Sequence, residues 1–355
     1  GRFFHEYAYL DTKCRCTFTL PSITDFLHGF HNRSPHPERT TNKMDRDSAM
    51  ETHPKILCIG ACHWDFTMQC AAEVIPGESN PVRSSRSPGG VAVNIARALT
   101  DLDCIVGLAS RVGSDPGGRA LVDYLATSRI KAIDITEETN RHTAAYTAVV
   151  DPKGELVLGL ADMEIYDRLD RRYWSSRADK LAGWDAWCLD TNLPKSGLHY
   201  LSTLTNRPRL YAVVSSPSKG VRLKSSLGYI NTLILNIAEA SMLTGQSHCG
   251  IDGAEKAAQL LCAAGVDRTL VTQGAGGGAW ADATSSGTMA APPQPNQLIR
   301  VSGAGDALAA AAIAALEKRH STAQALELGI HASHLFIQSS DPKTPISAQS
   351  DINHG

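Results

Sequence analysis

The chain has 355 residues, enough for one large or two smaller domains with a sizeable core. Lys and Arg number 34 against 36 Asp and Glu, a formal charge of -2, which excludes a polybasic binder of nucleic acid or anionic membrane. Aromatics are only 6% of the residues, and plentiful Ala and Gly favour helices packed closely on a sheet over an all-β sandwich.

The first fifty residues open with Gly and carry several His, Arg, Pro and Thr with no sustained period of 2 or 3.6. Residues 1–50 therefore read as a disordered leader or a non-native upstream segment, with Met44 or Met50 as a natural start and organelle targeting as the minority reading. Cys14 and Cys16 form a C-x-C pair in that segment. The nine cysteines make no dense framework and none has structural-zinc spacing, so reduced thiols in a cytoplasmic protein are expected. No stretch approaches the roughly 20 apolar residues that span a bilayer.

From Lys55 onward, short apolar runs alternate with helical patterns. Lys55 to Gly60, Ile105 to Ala109, Ala186 to Leu189, Leu210 to Val214, Leu233 to Leu235 and Thr269 to Thr272 read as buried strands. That alternation predicts an α/β domain over residues 51–340, a mainly parallel sheet wrapped by helices. Two regions interrupt it, Phe66 to Ser87 and Thr143 to Ala161, where polar and apolar residues alternate without helix signals. In the second, Asp151-Pro152-Lys153-Gly154 is a turn between two strand-like runs. These regions, 66–87 and 143–161, are expected to form a small antiparallel lid, and residues 341–355 a polar tail.

The sharpest motif is Gly303-Ala304-Gly305-Asp306, followed at once by the helix-forming run Ala307 to Lys318. Glycines let successive N–H groups converge, and a helix start adds partial positive charge, so the turn suits an anion. Asp306 could then accept a proton from a hydroxyl aimed at a bound phosphoryl group. The plainer reading is a tight loop with Asp306 as a helix cap.

Other blocks fall in step with this one. Pro88-Gly89-Gly90-Val91-Ala92-Val93-Asn94 precedes a helix; Arg111 to Gly117, Asn236-Ile237-Ala238-Glu239 and Leu270 to Gly274 follow. In this order and spacing the chain resembles the PfkB, or ribokinase-like, family of carbohydrate and nucleoside kinases over about Lys55 to Ser340. Gly77 to Pro81, Tyr146, Gly154 to Leu156, Asp162-Met163, Asp190-Thr191-Asn192, Val214-Ser215 and Lys219 resemble its pseudouridine kinase branch.

The resemblance implies a three-layer αβα fold with a small β lid, ATP and Mg²⁺ as cofactors, and a nucleoside or sugar as substrate. It implies Asp306 as catalytic base and Gly303, Ala304 and Gly305 as anion hole. Asp65, Gly90 and Asn94 would bind the sugar. Asn236, Glu239 and Gly274 would serve the nucleotide, with Glu239 reaching Mg²⁺ through water. It further implies a homodimer through the lid. Departures are Arg300-Val301-Ser302 before the glycine turn, which makes a monovalent cation doubtful, Val93 where a polar residue is expected, and Ala309 or Ala310 after the base. The resulting expectation is a kinase acting on the 5′-hydroxyl of pseudouridine. Its rivals are another sugar or purine-nucleoside kinase of the fold, or a catalytically weak nucleoside-binding relative.

Overall fold

The computed structural model describes residues 53–294 and 302–339. The leader, Cys14 and Cys16, Arg300 and Val301, and the tail lie outside the described residues.

Among the described residues thirteen strands are formed in chain order: β1 (Lys55–Ile59), β2 (His63–Cys70), β3 (Val82–Gly89), β4 (Ile105–Gly113), β5 (Lys131–Glu138), β6 (Ala145–Val150), β7 (Leu156–Asp162), β8 (Ala186–Asp190), β9 (Arg209–Val213), β10 (Thr232–Asn236), β11 (Arg268–Thr272), β12 (Gly278–Asp282) and β13 (Ser286–Met289). Nine of them build the main sheet in the order β13-β12-β11-β10-β9-β8-β1-β4-β5. From β11 to β5 every pairing is parallel, while β12 and β13 add an antiparallel edge. The expected strands are all present, and most run slightly beyond their apolar runs.

Alternation within the strands divides the core into two layers. On β1, Ile56 and Cys58 face one cluster and Leu57 and Ile59 the other, all fully buried. The first layer is covered by helices Val91–Asp101, Pro116–Thr127, Ala304–Glu317 and Thr322–Gln338, the second by Lys195–Thr203, Ile237–Thr244 and Gly250–Ala263. Strands buried on both faces read as unbroken apolar runs, which is why the sequence announced them. In the first layer more than half of the helix Ala304–Glu317 is alanine, and Ala307 to Ala315 are all buried. Its small side chains bring Thr322–Gln338 so close that a Cβ on Gly329 would stand 2.9 Å from Leu308. Val93 lies in this core, 0% exposed, so the apolar residue there is packing.

The second sheet has four strands, in the order β3-β2-β6-β7. The β2–β3 and β6–β7 pairings are antiparallel, as expected, and Asp151 to Gly154 makes the turn between β6 and β7. The joint between the two hairpins, β2 against β6, is parallel. Period-2 patterns are the same for either direction, so the sequence holds no sign of this. Strand β2 also starts at His63, three residues before the expected Phe66, so Asp65 lies within a strand.

The strand order places a crevice. After β1 the chain builds β4 and β5 on one side, then returns to β8 on the other. The point of reversal lies between the carboxyl ends of β1 and β8, where open α/β sheets take their ligands.

Candidate active site

Strand β1 runs out at Ile59 into Gly60 and Ala61, and β8 ends at Asp190. Asp190 is 1% exposed, and its Oδ2 accepts from the amides of Ala61 at 2.7 Å and Ala92 at 3.1 Å, while Oδ1 accepts from that of Asn192 at 2.8 Å. Ala92 lies in the first turn of the helix Val91–Asp101, whose N-cap, Gly90, has no capping side chain. Asp190 thus caps that helix from another strand and ties it to the end of β1. Burial raises its pKa, against the lowering effect of the Ala61 and Asn192 hydrogen bonds and of the Lys219 charge. Lys219 is half-buried, and its Nζ donates to Asn192 Oδ1 at 2.6 Å.

Gly90 has φ +102, and a Cβ there would collide with the carbonyl of Ala61. Only glycine lets the helix start this near β1. One turn on, Asn94 Nδ2 donates to Asp306 Oδ2 at 2.9 Å, joining residues 212 positions apart. Asp306 stands in the first turn of Ala304–Glu317, after Gly303, whose φ is +94. Gly303 packs against the Phe336 ring, while a Cβ on Gly305 would meet nothing within 4 Å.

The half-buried Asp306 carboxyl is pushed up to about 7. Desolvation is the main cause, and the charges of Asp190, Asp65 and Glu239 add to it against the opposing Asn94 hydrogen bond. Four carboxylates therefore share one electrostatic neighbourhood, contributed by β2, β8 and the starts of two helices.

Asn236 closes β10 and starts the helix Ile237–Thr244. Its Oδ1 accepts from the Glu239 amide at 2.9 Å, and Glu239 Oε2 accepts from the Asn236 amide at 2.8 Å, a complete capping box. Glu239 is 5% exposed, and burial raises its carboxyl to about 7. Gly274 lies just past β11, the neighbour of β10, with φ +54 and open space where a Cβ would stand.

Asp65 sits on β2 with its side chain 34% exposed and its Oδ1 3.1 Å from His63 Nε2. Of the branch-like residues, Asn80 is consumed by its own loop: its amide bonds Ile75 in both directions and the Glu78 carbonyl. The Tyr146 hydroxyl lies where a side chain on Gly159, across the β6–β7 pair, would project. Asp190 stood out in the sequence only as part of a pattern. Its capping role joins segments 98 residues apart, and no local signal reports that. His63 was passed over beside Asp65, although two titratable residues spaced i, i+2 on a strand share a face.

Comparison with known proteins finds relatives of this chain and of its fold. The family model described as pfkB family carbohydrate kinase matches residues 53–349. A pseudouridine kinase of Escherichia coli K12 is 28% identical over 256 residues, covering 72% of this chain and 81% of that protein. The structure of a carbohydrate kinase from Agrobacterium tumefaciens superposes with a TM-score of 0.70 at 31% identity, covering 81% of this chain and 92% of the other. An Arabidopsis thaliana ribokinase solved with ribose and ATP gives a TM-score of 0.69 at 18% identity, over 83% and 95% of the two chains.

Proposed function

Because the chain belongs to the pfkB family of carbohydrate kinases, phosphotransferases acting on an alcohol group, we propose that it transfers the γ-phosphoryl group of ATP to the 5′-hydroxyl of pseudouridine. The observation that carries the reading is the bond from Asn94 to Asp306. It sets a carboxyl with pKa about 7 at a glycine-rich helix start directly against the helix that follows Gly89-Gly90. Similarity to the E. coli pseudouridine kinase supports the nucleoside, and the ATP-bound ribokinase neighbour supports the donor.

In this reading Asp65, Gly90 and Asn94 hold the ribosyl hydroxyls. Asp306 takes the proton of the 5′-hydroxyl as the new O–P bond forms and the bond to the leaving ADP breaks. Asn94 occupies Oδ2, so Oδ1 is the atom outside that bond and receives the proton. The amides of Gly303, Ala304 and Gly305 face the charge on the transferred group. Asn236, Glu239 and Gly274 line the nucleotide side. Among the described residues no three His, Cys, Asp or Glu side chains are grouped to hold a metal. That fits Mg²⁺ carried chiefly by phosphate and water, with Glu239 as an outer partner. When bound, the ion neutralises charge on the phosphates.

The surroundings bear on the remaining expectations. The exposed apolar edge strand β7 supports a homodimer through the lid. Free thiols at all seven described cysteines support a reducing compartment, and no described helix is long and apolar enough to cross a membrane.

The test is a panel of pseudouridine, uridine, adenosine, ribose and fructose with ATP and Mg²⁺, run on the parent and on Asp306→Asn. Pseudouridine should lead uridine by about 10-fold in kcat/KM, since an analogue lacking the second ring N–H leaves a site group unpaired. Asp306→Asn should lower kcat at least ~100-fold while ATP still binds. Better turnover of ribose or adenosine would move the substrate to a rival class, and an active Asp306→Asn would remove the base.

A further inference from the structure

Asp65 does not stand alone on β2. The Cys62 amide donates to the Tyr166 hydroxyl at 2.9 Å, and that hydroxyl lies 3.2 Å from His63 Nδ1. On the far side of the ring, His63 Nε2 is 3.1 Å from Asp65 Oδ1. An ionised carboxylate only accepts, so the ring nitrogen facing Asp65, Nε2, carries a hydrogen, and Nδ1 of the neutral imidazole is left to accept from the phenol. Tyr166 is 1% exposed and burial holds its pKa well above the ordinary range, so it remains a neutral donor.

The other carboxylate oxygen is confined as well. Asp65 Oδ2 lies in the space that a Cβ on Gly89 would occupy, and Gly89 is the cross-strand partner of His63. The carboxylate is therefore gripped on one oxygen by a directed N–H and accommodated on the other by bare backbone. An exposed aspartate on a strand would otherwise lose rotamer freedom each time it met a ligand.

We infer that His63, oriented by Tyr166, is a positioning residue that holds the Asp65 carboxylate ready for two sugar hydroxyls and so sets affinity for the ribosyl substrate. The inference rests on the reading that Asp65 binds the sugar. Tyr166 lies four residues past the end of lid strand β7, in the helical turn Glu164–Arg168, so the chain of bonds also fastens the base of the lid to β2.

The experiment measures pseudouridine binding, with ribose as a second probe, by calorimetry without ATP, and separate KM values for nucleoside and ATP. The variants are His63→Ala, His63→Gln, Tyr166→Phe, Asp65→Asn and the double variant His63→Ala/Asp65→Asn. His63→Ala should weaken pseudouridine binding about 10-fold and raise its KM alike, with kcat and the KM for ATP within about twofold. His63→Gln, which returns an N–H at the ε position, should recover most of the loss. In the Asp65→Asn background His63→Ala should add almost nothing, because it acts only through that carboxylate.

Parent-like binding by His63→Ala, or an undiminished effect in the Asp65→Asn background, overturns the inference while Asp65 keeps its role. Parent-like binding by Asp65→Asn overturns the sugar role itself. Should His63→Ala not fold, Tyr166→Phe carries the test: a few-fold loss confined to nucleoside binding upholds the relay, and unchanged binding overturns it.

Discussion

Glu239 performs two tasks that set opposite demands on its carboxyl. As half of a capping box it orders the helix Ile237–Thr244, and as a buried carboxyl with pKa near 7 it costs folding free energy once ionised. Its folded pKa lies above the ordinary glutamate value of 4.5, so the folded state binds the extra proton between about pH 4.5 and 7. Stability from this group is fully present below that window and falls as pH rises through it. Glu239→Gln keeps an oxygen for the Asn236 amide and removes the charge. In thermal melts without ligand it should match the parent near pH 5 and melt roughly 2–4 °C higher at pH 8. The same variant should need more Mg²⁺ for half-maximal rate, with nucleoside affinity unchanged. Collapse of nucleoside binding would place Glu239 on the sugar side. The N-x-x-E spacing and the glycine turn before Asp306 were legible in the sequence because each is local. The Asp190 cap and the Tyr166–His63 contact were not, because each depends on which strands become neighbours.

At the level of elements, the lid departs most from what alternation alone implies. The parallel ladder from Trp64–Ala145 to Gln69–Val150 welds two hairpins into one four-stranded unit. The unit is fastened to the core at its base: Trp64 Nε1 donates to the Gly117 carbonyl at 2.9 Å, and Asp115 accepts from the Thr143 hydroxyl at 2.6 Å. Such a sheet should move as a body. Hydrogen exchange at β2, β3, β6 and β7 should slow together when nucleoside binds. Protection in one hairpin alone would mean that the hairpins act separately. The outer strand, β7, has every residue exposed, including Leu156, Val157, Leu158 and Leu160 at 49–60%. An apolar edge with free backbone groups is prone to pair with another strand. Sedimentation should therefore find a dimer that Leu158→Lys converts to monomer, and a parent that sediments as a monomer would remove the lid-to-lid contact.

Across the whole molecule, the site is a product of strand order. Apolar runs alternating with helical patterns sufficed to read a wrapped parallel sheet, because strands buried on both faces cannot hide their composition. They did not disclose that β8 returns beside β1, and it is this return that assembles the crevice. The same geometry has a consequence during synthesis. The helix Val91–Asp101 leaves the ribosome long before its cap, since Ala92 and Asp190 are 98 positions apart. Until β8 emerges, the amide of Ala92 has only water to bond, and Asn94 waits still longer for Asp306, 212 residues downstream. A nascent chain therefore carries the helix Val91–Asp101 with a frayed start until β8 is made, and the bond from Asn94 to Asp306 can form only once the helix Ala304–Glu317 has followed.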